Sequence, residues 1–338
     1  MQIITALITA LFLIVCAPAM SAEIVINAVG DIMLAGNWSA QLKKQGYDYA
    51  FRGVAAELAN GDVTLANLET PVARGGVEFT EKKFRFRAEP EVARALKNAR
   101  INVVTLANNH IMDFGGEALS ETILNLDHEG IAHCGAGENI AAARKAVIMS
   151  AQGKKVAFLG YSLTQPTEFF AGAARPGTAP GLATYFESDI RKARTDADFV
   201  IVSFHWGTEG KSDVQDYQQV VAHKAINAGA DVIIGHHPHV LRGIERYKKG
   251  IIFYSLGNFV FASKSTTADT SAIIRLRLDD TRREAEIIPL DILYRRVGFQ
   301  PQTVSRERAF EIIHKLNVLS KPFGTTIEQQ GGKYVVVF

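Results

Sequence analysis

The sequence is poor in cysteine. Cys16 and Cys134 are the two cysteines of the chain, and Cys16 lies in an apolar N-terminal stretch. If that stretch is removed on export, the single remaining thiol cannot form an internal disulfide, so a disulfide-stabilised fold is excluded. A structural zinc site built from thiolates is excluded as well. We expect Cys134 to be a small buried residue and not a nucleophile.

The chain also lacks a strong charge of either sign. Its 37 basic and 35 acidic side chains leave a net charge of +2, and no block of five or more like charges occurs. Nucleic-acid-binding proteins usually carry a basic stripe, so we expect no nucleic-acid partner. With 47% hydrophobic residues, the composition is instead typical of a globular protein with a large core.

Charged side chains are absent from the first 22 residues. An apolar stretch of about 15 residues followed by small residues is typical of a secretory signal peptide, and it is short for a membrane-spanning helix. We predict a cleaved signal peptide over residues 1–22, one domain over residues 23–338, and a periplasmic or cell-surface location. The alternative is that the stretch remains as an N-terminal membrane anchor.

Apolar runs of strand length alternate with helical patterns from Glu23 onward. This alternation predicts an α/β fold with helices packed on a largely buried sheet. The predicted helices are Tyr49–Ala59, Pro90–Ala99, Glu117–Glu129 and Val214–Ala228, the last ending at Gly229. The predicted buried strands are Ile24–Val29, Val63–Leu65, Ile101–Leu106, Phe199–Phe204 and Val232–Ile234.

Polar side chains of the kinds that bind metals follow these five strands, and five of the nine histidines are among them. Because open α/β sheets place their sites at the carboxyl ends of strands, we expect these side chains to meet. Imidazole, carboxylate and amide groups together suit one or two divalent ions such as Mn²⁺, Fe²⁺ or Zn²⁺. The residues concerned are Asp31, Glu69, Asn109, His110, His205, His236, His237 and His239.

Six ordered motifs give the sequence a family resemblance. They are AVGDIML, ANLETPV, LANNHIMDFG, SFHWGTE, GADVIIGHHPH and FYSLGNFVF, and the resemblance runs from about Glu23 to Phe261. In them the chain resembles the bacterial capsule synthesis protein A family, which is associated with poly-γ-glutamate capsules and looks like a branch of the calcineurin-like metallophosphoesterases. The resemblance implies a four-layer α/β-β/α sandwich of the metallo-dependent phosphatase type. It further implies an anionic polymer or a phosphoester as substrate, and membrane-embedded synthase subunits as partners.

The resemblance also implies roles for individual residues. Members of the wider superfamily bind two metal ions that activate a bridging water and hydrolyse phosphate esters. Asp31, Asn109 and His205 match metal ligands of that superfamily. His110 matches the histidine beside the substrate that can protonate a leaving group. Asp113 either orients His110 or caps the following helix.

The sequence departs from the superfamily pattern at three points. Met33 stands where the first motif usually has a histidine, and a thioether is a poor ligand for a hard ion. Glu69 takes the place of the usual bridging aspartate. The terminal Gly-His-x-His motif is matched by Gly235–His239 with one extra residue, which leaves open which of its first two histidines joins His239 as a ligand.

Other readings of the sequence remain open at this point. The chain could be a hydrolase of phosphoesters or amide-linked polymers unrelated to capsules, or a non-catalytic binding subunit of a membrane assembly. For Trp206 we favour a place in the core over a pocket wall. Glu209 either supports the site or lies in a surface turn, and Asn258 either reaches the site or holds a loop.

Overall fold

The computed structural model describes residues 23–261, 266 and 268–338. The predicted signal peptide at residues 1–22 lies outside this range. Across the described residues, none of the helices combines the length and the apolar character that a membrane span requires.

The regular elements alternate along the chain much as the sequence pattern predicts. The strands are β1 (Ile24–Met33), β2 (Val63–Leu68), β3 (Val103–Thr105), β4 (Ala132–Cys134), β5 (Ala136–Gly137), β6 (Val147–Ala151), β7 (Lys154–Ser162), β8 (Gly177–Thr178), β9 (Phe199–His205), β10 (Val232–His236), β11 (Ile244–Tyr247), β12 (Gly250–Phe253), β13 (Asn258–Phe261), β14 (Thr270–Leu278), β15 (Arg283–Asp291), β16 (Gln302–Thr303), β17 (Glu328–Gln330) and β18 (Lys333–Val337). The α-helices are α1 (Ser39–Gln45), α2 (Ala55–Ala59), α3 (Glu91–Asn98), α4 (Gly115–His128), α5 (Ile140–Ala143), α6 (Ala183–Asp196), α7 (Asp216–Ala228), α8 (Tyr294–Val297) and α9 (Arg306–Ser320). Short 3₁₀ helices lie at Gly36–Trp38, Tyr47–Val54, Thr167–Phe169 and Lys321–Phe323.

The larger sheet is mixed and centres on β1. Its order is β17-β18-β15-β14-β1-β2-β3-β4, with β13 also paired to β1 and β16 to β15. Strands β1 to β4 are parallel, and β13 is parallel to β1. The β14, β15, β17 and β18 strands pair in antiparallel fashion. The parallel half therefore sends the carboxyl ends of β1, β2 and β3 to one edge.

The second sheet has the order β11-β12-β10-β9-β7-β6. Its central strands β7, β9, β10 and β12 are parallel, whereas β6 and β11 are antiparallel edge strands. Strands β5 and β8 form a separate two-stranded ladder. The carboxyl ends of β9 and β10 lie side by side, because His205 and His236 are register partners.

Three apolar clusters define the layers. One cluster combines Ile26 of the first sheet with Phe158 of the second, so the two sheets pack face to face. Another covers the outer side of the first sheet with helices such as α3, through Leu96. The last covers the outer side of the second sheet with α6 and α7, through Ile190 and Ala222. The predicted four-layer α/β-β/α sandwich is therefore confirmed.

The predicted helix at Tyr49–Ala59 is wrong in its first half. A 3₁₀ helix at Tyr47–Val54 precedes α2, which is only five residues long. Gly53 lies in this stretch, where a side chain at its Cβ position would be 2.5 Å from the carbonyl oxygen of Pro301. Glycine is a poor helix former, and the close approach to another segment sets the backbone here instead.

Candidate metal centre

Strands from both sheets end at one edge of the sandwich and bring the predicted side chains together. Asp31 lies near the end of β1, and Glu69 follows β2 directly. His205 is the last residue of β9, and His236 is the last residue of β10. Contacts between Asp31 and His236 join the two sheets at this edge. Placement at strand ends therefore follows the rule used for the sequence.

Asp31 is the centre of the cluster. Its Oδ1 accepts hydrogen bonds from Asn67 Nδ2 at 2.8 Å and from His236 Nδ1 at 3.1 Å. Its Oδ2 accepts from His239 Nδ1 at 3.0 Å. Burial disfavours the charged carboxylate, but the hydrogen bonds from the two histidines hold the pKa of Asp31 well below its ordinary value. Asp31 is therefore a buried anion at the meeting point of the two sheets.

The turn after β10 carries two histidines in a strained backbone. His237 has a φ of 92° and His239 a φ of 60°, both in the left-handed region. That region costs a non-glycine residue about 1–2 kcal/mol. Backbone strain of this kind persists where the surroundings hold it in place and often marks functional sites. Here it places the imidazole of His239 against Asp31 and that of His237 beside the ring of His205.

A second group of ligand atoms lies beside Asp31, with Glu69 and Asn109 following strands of the first sheet and His205 ending a strand of the second. His205 Nε2 lies 2.8 Å from Asn109 Oδ1 and 3.5 Å from Glu69 Oε1. Asn67 Nδ2 lies 3.2 Å from Glu69 Oε2, and Asn108 Nδ2 donates to Asn67 Oδ1 at 3.1 Å. Asparagine side chains thus hold the carboxylates and His205 in fixed orientations.

The electrostatics of the cluster favour a bound cation. Burial, together with the nearby charge of Asp31, raises the pKa of Glu69 well above its ordinary value. Burial lowers the pKa of His205 well below its ordinary value and that of His237 to about 3, so both imidazoles are neutral. Burial also disfavours charge on His239, but Glu69 and Asp31 raise its pKa to about 9. His205 and His237 are thus in the neutral form in which imidazole binds metals, whereas an ion would have to displace the proton that His239 holds.

Several buried atoms of the cluster lack a hydrogen-bond partner among the described residues. They are Glu69 Oε1, His236 Nε2, His237 Nδ1 and Asn258 Oδ1. Each such group typically costs about 1–3 kcal/mol, and native proteins contain few of them. Their concentration at one edge indicates that the site is built to hold something else.

Three overlapping groups of side chains have ligand atoms close enough to hold an ion. Within each group, these atoms lie within 4.8 Å of one another. The groups are Glu69 with His205 and His237, Asp31 with Glu69 and His239, and Glu209 with His237 and His239. Of the first two histidines in the terminal motif, these groups contain His237, whereas His236 Nδ1 is bonded to Asp31. The residues present therefore fit a divalent metal ion.

His110 and Asp113 form a buried pair beside this cluster. His110 Nδ1 lies 2.6 Å from Asp113 Oδ2. The same carboxylate accepts from the backbone N–H of Phe86 at 2.9 Å and from Lys82 Nζ at 2.5 Å. Helix α4 begins at Gly115. Of the two roles open for Asp113, the structure therefore favours orienting His110 over capping the helix.

Sequence reasoning missed Lys82, Asn67 and Asn108. The two asparagines lie at strand ends within the quoted motifs, so the strand-end rule could have found them. Lys82 lies in an irregular segment and is placed by hydrogen bonds to Asp113 and to the backbone carbonyl of Asn109. These are tertiary contacts, and nothing in the local sequence pattern signals them.

The remaining candidates take ordinary places. Met33 is buried in the apolar cluster on the outer side of the first sheet. Trp206 is buried in the core, as expected, and stacks on Phe204 with ring centroids 4.9 Å apart. Glu209 is exposed, although its carboxylate is near His237 and His239.

Comparison with known proteins gives matches over most of the chain. The profile of the family described as bacterial capsule synthesis protein PGA_cap matches residues 25–263. The capsule biosynthesis protein CapA of Bacillus anthracis is 34% identical over 278 residues, covering 80% of this chain and 68% of that protein. The PGA biosynthesis protein CapA of Bacillus subtilis (strain 168) is 34% identical over 268 residues, covering 78% and 70%. Among solved structures, the NAD nucleotidase of Haemophilus influenzae matches with a TM-score of 0.47 and 12% identity, covering 87% of this chain and 56% of that one. A structural likeness of this size says nothing about activity.

Proposed function

The chain belongs to the bacterial capsule synthesis protein PGA_cap family, and we propose that it serves poly-γ-glutamate-type capsule synthesis or export through a metal-dependent hydrolase site. Two relatives are named for capsule and PGA biosynthesis, which supports the capsule role. The charge-free first 22 residues support export, with residues 23–338 as one domain in the periplasm or at the cell surface. Membrane-embedded synthase subunits are the partners that this role requires.

The observation that carries the hydrolase site is the cluster of buried ligand atoms without protein partners. One or two ions of Mn²⁺, Fe²⁺ or Zn²⁺ would be held by Asp31, Glu69, Asn109, His205, His237 and His239, with His236 beside them. Such an ion, when bound, supplies an activated water and neutralises negative charge on a substrate. An anionic polymer or a phosphoester is the class of substrate that benefits from this charge.

His110 and Asp113 supply the proton handling. Because Asp113 Oδ2 lies 2.6 Å from His110 Nδ1, that nitrogen carries the hydrogen donated to the carboxylate. Nε2 is then the nitrogen that exchanges a proton with a leaving group. The ammonium of Lys82 forms an ion pair with the other oxygen of Asp113. Asp113 therefore orients the His110 ring while its own negative charge is neutralised.

The experiment is metal analysis and a substrate screen on the purified full chain. Aryl phosphates, phosphodiesters and γ-glutamyl peptides are offered to the metal-loaded protein. We expect bound metal and hydrolysis of γ-glutamyl peptides. The His110→Gln variant should keep its metal and lose about 100-fold or more in kcat. His133→Gln is the matched control, because His133 lies on β4 and pairs with Asp127 away from the cluster.

The other outcomes separate the alternatives. No metal above background after loading would refute the metal site. Hydrolysis of phosphoesters alone would favour a hydrolase unrelated to capsules. Metal binding without turnover of any of these substrates would favour a non-catalytic binding subunit of a membrane assembly.

A further inference from the structure

Asn258 lies beside Asp31 on a neighbouring strand. It is the first residue of β13, which runs parallel to β1, and Asp31 and Asn258 are register partners. The backbone N–H of Asp31 donates to the carbonyl of Gly257 at 3.0 Å. Register partners on adjacent parallel strands direct their side chains to the same face of a sheet. Asn258 therefore shares the face of Asp31, which is the face of the candidate metal centre.

The side chain of Asn258 is buried without being satisfied. Asn258 is 3% exposed. Its Oδ1 is buried, and no atom of the described residues forms a hydrogen bond with it. An amide oxygen left in this state costs about 1–3 kcal/mol. A core position would be filled more favourably by an apolar residue, so the oxygen is retained at a cost to stability.

The loop before β13 holds Asn258 rigidly against β1. Gly257 has a φ of 69°, and its N–H donates to Ser255 Oγ at 3.1 Å. Ser271 Oγ donates to the carbonyl of Leu256 at 2.9 Å. A Cβ on Gly30 would lie only 1.9 Å from the carbonyl oxygen of Gly257, so this close approach of the two strands requires glycine. Such support is what a ligand residue needs, because a side chain held within a small range of positions binds an ion at less entropic cost.

We propose that Asn258 Oδ1 is a further oxygen ligand of the metal centre. Met33 pairs with Phe261 and lies in the apolar cluster, so β1 offers one metal-binding side chain, Asp31, where the superfamily offers two. An amide oxygen suits the same hard and borderline divalent ions as the rest of the set. The assignment rests on the proposed metal site and adds one residue to it.

The test is metal binding by the full chain, measured by calorimetry with Mn²⁺ and by visible absorption with Co²⁺ as a spectroscopic probe. Asn258→Ala should weaken Mn²⁺ binding by about 10- to 100-fold. It should also strengthen the Co²⁺ absorption bands, because the coordination number falls. Asn258→Asp keeps an oxygen at the same position and should bind at least as tightly as the wild type. Both readouts are independent of catalytic activity.

Ser271→Ala is the matched control, because it loosens the loop that carries Asn258 without removing an oxygen from the site. Circular dichroism and urea unfolding establish that each variant is folded, and Asn258→Ser replaces Asn258→Ala if the latter is not. Equal Mn²⁺ affinity and equal Co²⁺ spectra for the wild type and the oxygen-free variant would overturn the assignment. A loss in Asn258→Asp equal to that in Asn258→Ala would overturn it too, since the effect would then come from packing and not from the oxygen. No metal binding by the wild type would refute the proposed function itself, a result distinguishable from both.

Discussion

The two ends of strand β10 carry buried polar groups of opposite kinds. Asp231 comes just before the strand and is 6% exposed. Its carboxylate accepts from Arg194 and from Arg283 at 2.7 Å each, and from the backbone N–H of Val200 at 2.7 Å. At the other end, His236 leaves its Nε2 buried without a hydrogen-bond partner in residues 23–261 and 268–338. Strand β10 thus connects two polar clusters. In the closed cluster, the carboxylate of Asp231 is fully hydrogen-bonded by the protein, whereas in the open cluster around Asp31 several buried polar atoms lack a partner in the described part of the chain.

The difference separates a structural role from a functional one. A buried charge whose hydrogen-bonding capacity is filled by the protein contributes to folding and has little left to offer a ligand. A cluster in which several buried polar atoms lack hydrogen-bond partners lowers the stability of the ligand-free protein, but it keeps those atoms available to bind a ligand. We therefore expect changes at Asp231 to act on folding and changes at Asp31 to act on metal binding.

The largest expected effect is on metal affinity. Asp31→Asn keeps the size of the side chain but removes the buried negative charge that His236 and His239 contact. We expect divalent metal affinity to fall about 1,000-fold, or about 4 kcal/mol, because a charged ligand is lost. Calorimetric titration with Mn²⁺ measures it, and Asp231→Asn is the control. A loss of less than tenfold would show that Asp31 is not a ligand.

The second-largest expected effect is on the free energy of unfolding, and it concerns Asp231 in the closed cluster. Asp231→Asn leaves the guanidinium groups of Arg194 and Arg283 without their buried anion. Breaking a fully buried pair costs about 3–5 kcal/mol, and since both arginines are about one-third exposed we expect about 2–3 kcal/mol. Urea unfolding measures this loss, and Glu187→Gln in the exposed pair with Arg191 should cost under about 1 kcal/mol. Unchanged stability in Asp231→Asn, or impaired metal binding, would remove the contrast between the two ends.

The contrast between the Asp231 and Asp31 clusters also shows which features of the site could be predicted from the sequence. The strand-end rule found Asp31, His205 and His236 because parallel strands deliver their carboxyl ends to one edge whatever the details of packing. The rule could not distinguish the fully hydrogen-bonded cluster around Asp231 from the open cluster around Asp31, because the partners of a buried group come from distant segments. Asp231 also borders a buried strand, and nothing in its neighbourhood marks its two arginine partners.

Strand β1 shows the same limit on the fold. The apolar run predicts a strand over Ile24–Val29, whereas the strand continues to Met33. The added residues pair with β13, which lies more than 200 positions later in the chain. Local periodicity contains no information about such a partner. The four layers, by contrast, followed from the family resemblance carried by six motifs and not from periodicity, which predicted only an α/β fold.

An intermediate case lies beside the site. Asp113 is buried and fully hydrogen-bonded, as Asp231 is. Its partners, however, include the site residue His110, together with Lys82 and the backbone N–H of Phe86. Lys82→Met should cost about 1–2 kcal/mol of folding free energy, because the buried carboxylate of Asp113 loses the ammonium that pairs with it. We expect Mn²⁺ affinity to change by less than about threefold, since Lys82 contributes no ligand atom.

Urea unfolding and calorimetry on the same samples measure both quantities for Lys82→Met. Lys83→Met is the matched control, because the neighbouring Lys83 is exposed and its ammonium lies over the ring of Phe84. A stability loss confined to Lys82→Met would place Asp113 with the closed clusters. A large loss of metal affinity would instead place it with the open one.

The smallest expected effect is on the pH dependence of stability, and it concerns Cys134, whose thiol is buried. Burial raises its pKa from the ordinary 9.0 to about 12, although a hydrogen bond with Thr105 opposes the shift. Between these values the unfolded chain loses a proton that the folded chain keeps, so stability falls as pH rises from about 9. In a Cys16→Ser background, the chain with Cys134 should lose about 1 kcal/mol more than Cys134→Ala between pH 8 and pH 10. Urea unfolding at pH 8, 9 and 10 measures the difference, and parallel declines would show that the thiol ionises as readily in the folded protein as in the unfolded chain.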